Sequence, residues 1–185
     1  MHHALLEIVG NIERSGADPM ADFFYLGGPM TNIPHFNFPR FQEVADRLRA
    51  QGYNIVSPAE LGDPVTLAIA AASATGDHSN DKGDKVGDKS YNDFLSRDLI
   101  ICSLTTCVGG IFLDGWQHSR GARGETWVLQ FLQKELYEYS NVGGQVSLTN
   151  ILDRDVRLGE LGVELEGVPQ DAPGLRTKAH NGGKQ

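Results

Sequence analysis

Apolar residues recur along this chain in two arrangements, one typical of buried strands and one typical of helices. Short continuous apolar runs closed by glycine or proline predict strands at residues 22–26, 53–57 and 108–113. Apolar residues three or four positions apart predict helices at residues 4–15, 41–51, 67–74, 91–103 and 125–138. Because the strands alternate with helices, the pattern indicates βαβ units and parallel strand pairing.

This alternation predicts the α/β class, with a flavodoxin-like or Rossmann-like parallel sheet and helices on both of its faces. We divide the chain into an N-terminal helical extension (1–20), a main domain (21–140) and a C-terminal extension (141–185). Residues 76–90 are polar and rich in Asp, Lys and Gly, which predicts a mobile loop. The last extension contains a candidate strand at 145–150 and a candidate short helix at 153–161, and its end is predicted to be disordered.

Composition narrows the classes of partner. The 185 residues are 40% hydrophobic, enough for one domain with a core, and the net charge of −8 argues against a duplex nucleic acid partner. We find no apolar run long enough for a bilayer and no secretory signal in residues 1–7. Cys102 and Cys107 are not in a metal-ligand spacing, so we expect no metal site and a reducing, cytoplasmic setting.

The glycine-rich loop from Leu113 to Glu125 concentrates chemically useful groups between a strand and a helix. Ser119 and Gly121 offer a hydroxyl and a backbone N–H to a phosphate, and Trp116 offers a ring to a base. Because Glu125 begins the predicted helix, the helix dipole is expected to keep it ionised at neutral pH. The ordinary alternatives are a helix cap for Ser119, a packing role for Trp116 and a simple first-turn acid for Glu125.

Two further segments carry candidate residues. Ligands of open parallel sheets bind at the carboxyl ends of strands, and the first predicted strand ends in Tyr25, with Gly28, Pro29 and Met30 directly after it. A tight turn is the alternative explanation for this segment. Asp98 lies within an apolar helix, so it either reaches a cleft or pairs with Arg97 or Arg123.

Three motifs in this order resemble those of the nucleoside 2-deoxyribosyltransferase superfamily, in particular its phage and bacterial branch. They are Tyr25-Leu26-Gly27-Gly28-Pro29-Met30-Thr31-Asn32, Arg97-Asp98, and Gly115-Trp116-x-x-Ser119-x-Gly121-Ala122-x-x-Glu125. The resemblance covers residues 23–133. It implies that Glu125 is a nucleophile that attacks the anomeric carbon of a deoxyribosyl group, and that Asp98 assists proton transfer to the departing base. It also implies that Tyr25 positions the nucleophile and that Trp116 lines the base pocket.

The serine at position 119 resembles the branch that hydrolyses 2′-deoxynucleoside 5′-monophosphates, where a serine binds the phosphate. Hydrolysis of the N-glycosidic bond of such a deoxynucleotide is therefore the activity implied, with no cofactor and with a homodimer or larger homo-oligomer as the assembly. Base exchange by a transferase and nucleotide binding without turnover are the two alternatives. The chain departs from the superfamily pattern at Gly27, usually alanine, at Val108, usually an acid, and at Asp114, usually proline.

Overall fold

The computed structural model describes residues 2–77 and 85–151, which form a five-stranded sheet, a two-stranded hairpin and five α-helices. The strands are β1 (Phe23–Gly27), β2 (Ile55–Val56), β3 (Lys85–Val86), β4 (Lys89–Ser90), β5 (Cys107–Phe112), β6 (Glu135–Val142) and β7 (Gln145–Asn150). The helices are α1 (His2–Arg14), α2 (Phe38–Ala50), α3 (Pro64–Ala72), α4 (Tyr91–Ser103) and α5 (Arg120–Phe131).

The large sheet has the order β2-β1-β5-β6-β7, which is the flavodoxin-like order 2-1-3-4-5 when only its own strands are counted. The β1–β2, β1–β5 and β5–β6 pairs are parallel, and β7 is antiparallel to β6. Successive β1 side chains point to opposite faces: Tyr25 packs into a cluster with residues of α1, α4 and α5, and Leu26 into one with residues of α2. The predicted α/β fold with helices on both faces is confirmed.

The helix predicted at residues 125–138 is wrong at both ends. Ser119 caps the helix, so α5 begins at Arg120 and Glu125 lies in its second turn. The helix ends at Phe131, and Gln133 takes a left-handed conformation (φ 58°) that turns the chain into β6. Leu136, predicted on the helix, is a buried residue of that strand.

The described parts of both extensions pack with the main domain. Ile8 and Ile12 of α1 are buried in the same cluster as Phe23 and Ile101, so α1 packs against the main domain. The predicted boundary at residue 140 divides β6, which continues to Val142 and pairs with β7. The predicted strand at 145–150 is confirmed, while the helix at 153–161 and the disordered end lie outside the described residues.

The predicted mobile loop at 76–90 is only partly within the described residues, and its second part is a hairpin. Residues 85–90 form β3 and β4 around Gly87, which has a positive φ of 68°. Val86 is buried against Phe36 and Ala70, which ties this hairpin to α3. Within the described residues, none of the helices has the length and apolar character needed to cross a bilayer.

Candidate active site

A cavity lies beyond the carboxyl ends of β1 and β5, between residues that follow these two strands and residues of α4 and α5. From β1 the chain continues through α2 to the neighbouring strand β2, and α2 packs on one face of the sheet. From β5 the chain continues through α5 to β6, in the other direction along the strand order, and α5 packs on the opposite face. A crevice forms between strands whose connections diverge in this way, and it is the usual ligand site of such sheets. The cavity measures about 830 Å³, within the range of small-molecule sites.

Most of the predicted site residues meet at this cavity. Seven of them line it: Gly28, Pro29, Met30, Asp98, Ser119, Gly121 and Glu125. Tyr25 lies beneath its floor, fully buried, and reaches Glu125 through its hydroxyl. Trp116 does not line the cavity: it is 2% exposed and packs against Phe112, with ring centroids 5.6 Å apart. The prediction that Trp116 covers a base is therefore not supported, because its ring points into the core.

The two oxygens of the Glu125 carboxyl group have different surroundings. The Tyr25 hydroxyl donates a hydrogen bond of 3.0 Å to Oε1. Oε2 is buried, and no hydrogen-bond partner for it exists among the described residues. The absence of a side chain at Gly27 leaves room for this oxygen, since a Cβ there would lie 3.0 Å from it. One carboxyl oxygen is thus held by Tyr25, and the other is buried and unpaired, on a residue that lines the cavity.

The pKa of Glu125 is raised to about 8, which corrects the expectation of an ionised group at neutral pH. Burial is the largest cause, and the negative charge of Asp98 raises the pKa further. The hydrogen bond from Tyr25 and the charge of Arg97 lower it, but by less. The dipole of α5 acts mainly within the first turn of the helix, and Glu125 lies in the second.

Asp98 both reaches the cavity and pairs with its neighbour, so two of its predicted alternatives hold together. Arg97 donates from Nε and Nη2 to Asp98 Oδ1, at 2.8 Å each. The same guanidinium donates to the Leu61 carbonyl and lies over the Phe94 ring, 5.5 Å from its centroid. Burial raises the pKa of Asp98, whereas Arg97 and the Tyr25 hydroxyl lower it.

Asp98 and Glu125 together form a pair of buried carboxyl groups that retains one proton at neutral pH. The pKa of Tyr25 is raised well above 10 by burial and by both carboxylates, so the phenol stays protonated and able to donate. Two acids with one proton between them supply a nucleophile or base and an acid at the same time. The arrangement is suited to chemistry that needs both.

Replacing Tyr25 with Phe tests this interpretation of the pair. The substitution removes the hydrogen bond that stabilises the ionised form of Glu125, so the pKa of Glu125 rises. The protonation of Glu125 in the Tyr25→Phe protein, followed by the carboxyl NMR signal, should have its midpoint above that of the unsubstituted protein. A midpoint that stays the same or falls would show that the tyrosine does not stabilise the ionised carboxylate.

The first turn of α5 forms the other polar wall of the cavity. Ser119 Oγ accepts a hydrogen bond of 3.3 Å from the Ala122 backbone N–H, so the serine is also the helix cap. The first backbone bond of the helix runs from the Arg123 N–H to the Ser119 carbonyl, so the N–H groups of Arg120 and Gly121 have no acceptor within the helix. The side chain of Arg120 lines the same cavity. This corner combines a hydroxyl, two backbone donors and a guanidinium, which suits a phosphate.

Reasoning from the sequence missed the apolar side of the cavity. Phe36, Phe94 and Val86 line it, along with Leu67 and Ala70 of α3. The apolar spacing of α3 and α4 predicts helices but not which side faces a cavity. Phe36 lies two residues after Pro34, in a run of left-handed residues that the local sequence does not predict.

Asp114, where the resembling superfamily usually has proline, lies on the surface. Its side chain is 82% exposed, lies 3.8 Å from Arg40 and does not line the cavity. The described residues contain no group of three or more His, Cys, Asp or Glu side chains placed to hold a metal ion.

Comparison with known proteins gives one match. A protein-family model described as a domain of unknown function (DUF4406) matches residues 23–76. This region contains β1, α2, β2 and α3, with Tyr25, Gly28, Pro29 and Met30, and it ends before Asp98 and Glu125. Searches of curated proteins and of solved structures found no match.

Proposed function

We propose that the protein hydrolyses the N-glycosidic bond of a 2′-deoxynucleoside 5′-monophosphate, with Glu125 as nucleophile and Asp98 as acid. The observation that carries the proposal is the buried Glu125 carboxyl, held by Tyr25 at Oε1 and unpaired at Oε2, on the wall of a cavity that Asp98 shares. The resemblance of the three motifs to deoxyribosyltransferases supports the same assignment.

In the first step, the reactive form of the pair has Glu125 ionised and Asp98 protonated. Glu125 Oε2 attacks C1′ of the deoxyribosyl group, and a C1′–O bond forms as the C1′–N bond breaks. The electron pair of the broken bond stays on the base nitrogen, and the base takes its proton from Asp98. Tyr25 keeps its proton and steadies Oε1 throughout.

In the second step, the Asp98 carboxylate accepts a proton from water as the water oxygen attacks C1′. The ester to Glu125 breaks, and its electron pair returns to the carboxylate. The products are the free base and 2-deoxyribose 5-phosphate, and the enzyme regains both groups in their starting forms. The net reaction consumes one water and requires no other reactant.

The first turn of α5 is the proposed phosphate site, and replacing Ser119 with Asp tests it. Aspartate is as good a helix cap as serine, so α5 should keep its beginning. The added negative charge repels a phosphate and leaves an uncharged sugar unaffected. We expect KM for a deoxynucleoside monophosphate to rise at least about tenfold, and KM for the matching deoxynucleoside to change much less. Equal changes for both substrates in steady-state assays would contradict the phosphate role.

The activity itself is tested by incubating the protein with a panel of deoxynucleoside monophosphates and separating the free base by chromatography. Release of base in buffer alone supports hydrolysis. Release only after a second base is added indicates base exchange instead. Calorimetry that shows binding without release indicates a nucleotide-binding module. Ribonucleoside monophosphates serve as the matched control, because they differ from the panel only at the 2′ position.

The resemblance also supports a proposal about assembly, and the low cysteine content supports one about location. We propose a homodimer or larger homo-oligomer that acts on the deoxynucleotide pool of the cytoplasm. Sedimentation equilibrium of the full chain measures the assembly, and a monomer at every concentration would contradict it.

A further inference from the structure

A third cluster of apolar side chains, with buried residues at its centre, lines the cavity. It consists of Met30, Phe36, Phe38, Ala70, Val86 and Phe94, and we call it the apolar wall. All six residues line the cavity, and Met30 and Phe38 also pack against the cluster beneath α2. Three of them are aromatic. A flat apolar group is the kind of ligand that such a surface binds.

The loop that carries Phe36 has an unfavourable backbone held in place by hydrogen bonds. His35, Phe36 and Asn37 have positive φ values of 57°, 49° and 60° in succession, which is costly for residues with a side chain. The His35 N–H donates to the Ser73 carbonyl at 2.7 Å, fastening the loop to the residue after α3.

Two further hydrogen bonds fix the ends of this loop. The Asn32 N–H donates to the Gly76 carbonyl at 2.9 Å, and Asn37 Nδ2 donates to the Pro29 carbonyl at 2.8 Å. The loop is therefore tied both to the end of β1 and to the segment after α3. A costly conformation that is fixed from two sides and places a ring at a cavity favours a role in binding over simple packing.

The polar groups of the cavity come from other parts of the chain. Asp98 and Glu125 form the reactive pair, and Ser119, Arg120 and Gly121 form the corner suited to a phosphate. A ligand that used every part of this cavity would have an anionic group, a central reactive carbon and a flat apolar group. A deoxynucleotide has these three parts in that order.

Building on the proposed function, we propose that the apolar wall binds the nucleobase, with Phe36 as the residue that stacks on it. This assignment replaces Trp116, whose ring lies in the core. Stacking on a phenylalanine ring does not depend on a particular hydrogen-bonding pattern. The wall therefore selects for a planar aromatic base, and its loss should affect all bases.

The experiment measures binding without turnover, by calorimetry in protein that carries Glu125→Gln. The two probes are thymidine 5′-monophosphate and 2-deoxyribose 5-phosphate, which lacks the base. In this background Phe36→Leu keeps an apolar side chain but removes the flat ring. We expect the Kd for the nucleotide to rise about tenfold and the Kd for the sugar phosphate to stay within about twofold.

A second variant avoids the constrained loop altogether. Ala70 is on α3, and Ala70→Leu adds bulk to the apolar wall without changing a left-handed residue. It should weaken nucleotide binding and leave sugar phosphate binding unchanged. Phe131→Leu is the matched control, since Phe131 is 73% exposed and stacks on Trp127, away from the cavity. The Kd of each probe should be the same for Phe131→Leu as for the Glu125→Gln protein without it.

The outcomes separate the two proposals. If the Glu125→Gln protein binds both probes but Phe36→Leu and Ala70→Leu weaken both equally, or neither, the apolar wall does not bind the base. If the Glu125→Gln protein binds neither probe, the proposed function fails and the inference fails with it. Selective weakening of the nucleotide alone supports the assignment.

Discussion

Replacing Glu125 with Gln should abolish base release and at the same time raise the melting temperature. The glutamine keeps the size of the side chain and an acceptor for the Tyr25 hydroxyl, but it has no carboxylate to attack C1′. Loss of a nucleophile from a group of residues that act together removes at least about a thousandfold of the rate. Single-turnover assays with chromatographic detection of the base measure this effect.

The stability gain follows from the raised pKa of Glu125. The carboxyl loses its proton near pH 4.5 in the unfolded chain and only at about 8 in the folded one. As pH rises between these values, the unfolded state is favoured by up to roughly 4–5 kcal/mol. A glutamine does not titrate, so the Glu125→Gln protein should exceed the parent in stability only slightly near pH 5 and most near pH 8. At pH 8 we expect its melting temperature to be higher by about 5 °C or more.

Thermal unfolding of both proteins at pH 5, 6.5 and 8 measures this trend. The Phe131→Leu protein serves as control, because Phe131 is exposed and distant from the carboxyl pair. A glutamine variant less stable than the parent at pH 8 would show that the buried carboxylate does not destabilise the fold. Retained turnover would contradict the role of Glu125 as nucleophile, whatever the stability.

Replacing Asp98 with Asn should remove the acid and simplify the pH dependence of the reaction. In the parent, kcat/KM should follow a bell, because the reaction needs one proton on the carboxyl pair; its alkaline limb should fall near pH 8, where the pair loses that proton. The variant has no acid to lose, so the alkaline limb should disappear. The pKa of Glu125 should also fall, since the neighbouring negative charge is gone.

The rate loss should depend on the leaving group. A general acid increases the rate by a factor of about 10²–10⁴ when the leaving base needs a proton. A 2-deoxyribosyl 5-phosphate with a weakly basic phenolate as leaving group needs little help, so Asp98→Asn should slow it far less than a natural nucleotide. Glu125→Gln should slow both substrates to a similar extent. Equal losses for both substrates in Asp98→Asn would show that Asp98 does not protonate the leaving group.

The fold was predictable from the sequence because short apolar runs mark the central strands of the sheet. The apolar runs at 22–26 and 108–113 correspond to β1 and β5, and the helices between the strands set the parallel order. The helix predicted at 125–138 failed because Leu132 and Leu136 continue the helical spacing by chance. Only the left-handed backbone at Gln133 separates the helix from β6, and a glutamine does not signal such a turn.

The sequence predicted most of the residues of the site but not the protonation state of Glu125. Motif positions identified Tyr25, Asp98 and Glu125, which the fold brings together from three separate segments. The sequence placed Glu125 at a helix start and predicted an ionised group. Burial, which depends on the packing of the whole domain, reverses that expectation.

Aromatic residues show the same limit. Trp116 and Phe36 both lie in loops beside predicted site residues, and nothing local distinguishes them. Trp116 packs in the core, whereas Phe36 lines the cavity. The long-range contacts of the two loops determine which ring faces the cavity. Neither the spacing nor the composition of the sequence predicts these contacts.

The tight contact at Gly27 links sequence variation at two distant positions to the placement of the nucleophile. Gly27 and Phe112 are partners in the β1–β5 register, and a Cβ on residue 27 would lie 2.4 Å from the Phe112 ring and 3.0 Å from Glu125 Oε2. The alanine usual here in the resembling superfamily therefore requires a smaller or rotated residue at position 112. We therefore expect the residues at these two positions to vary together, so that their joint identity in a related chain indicates how much room its carboxylate has.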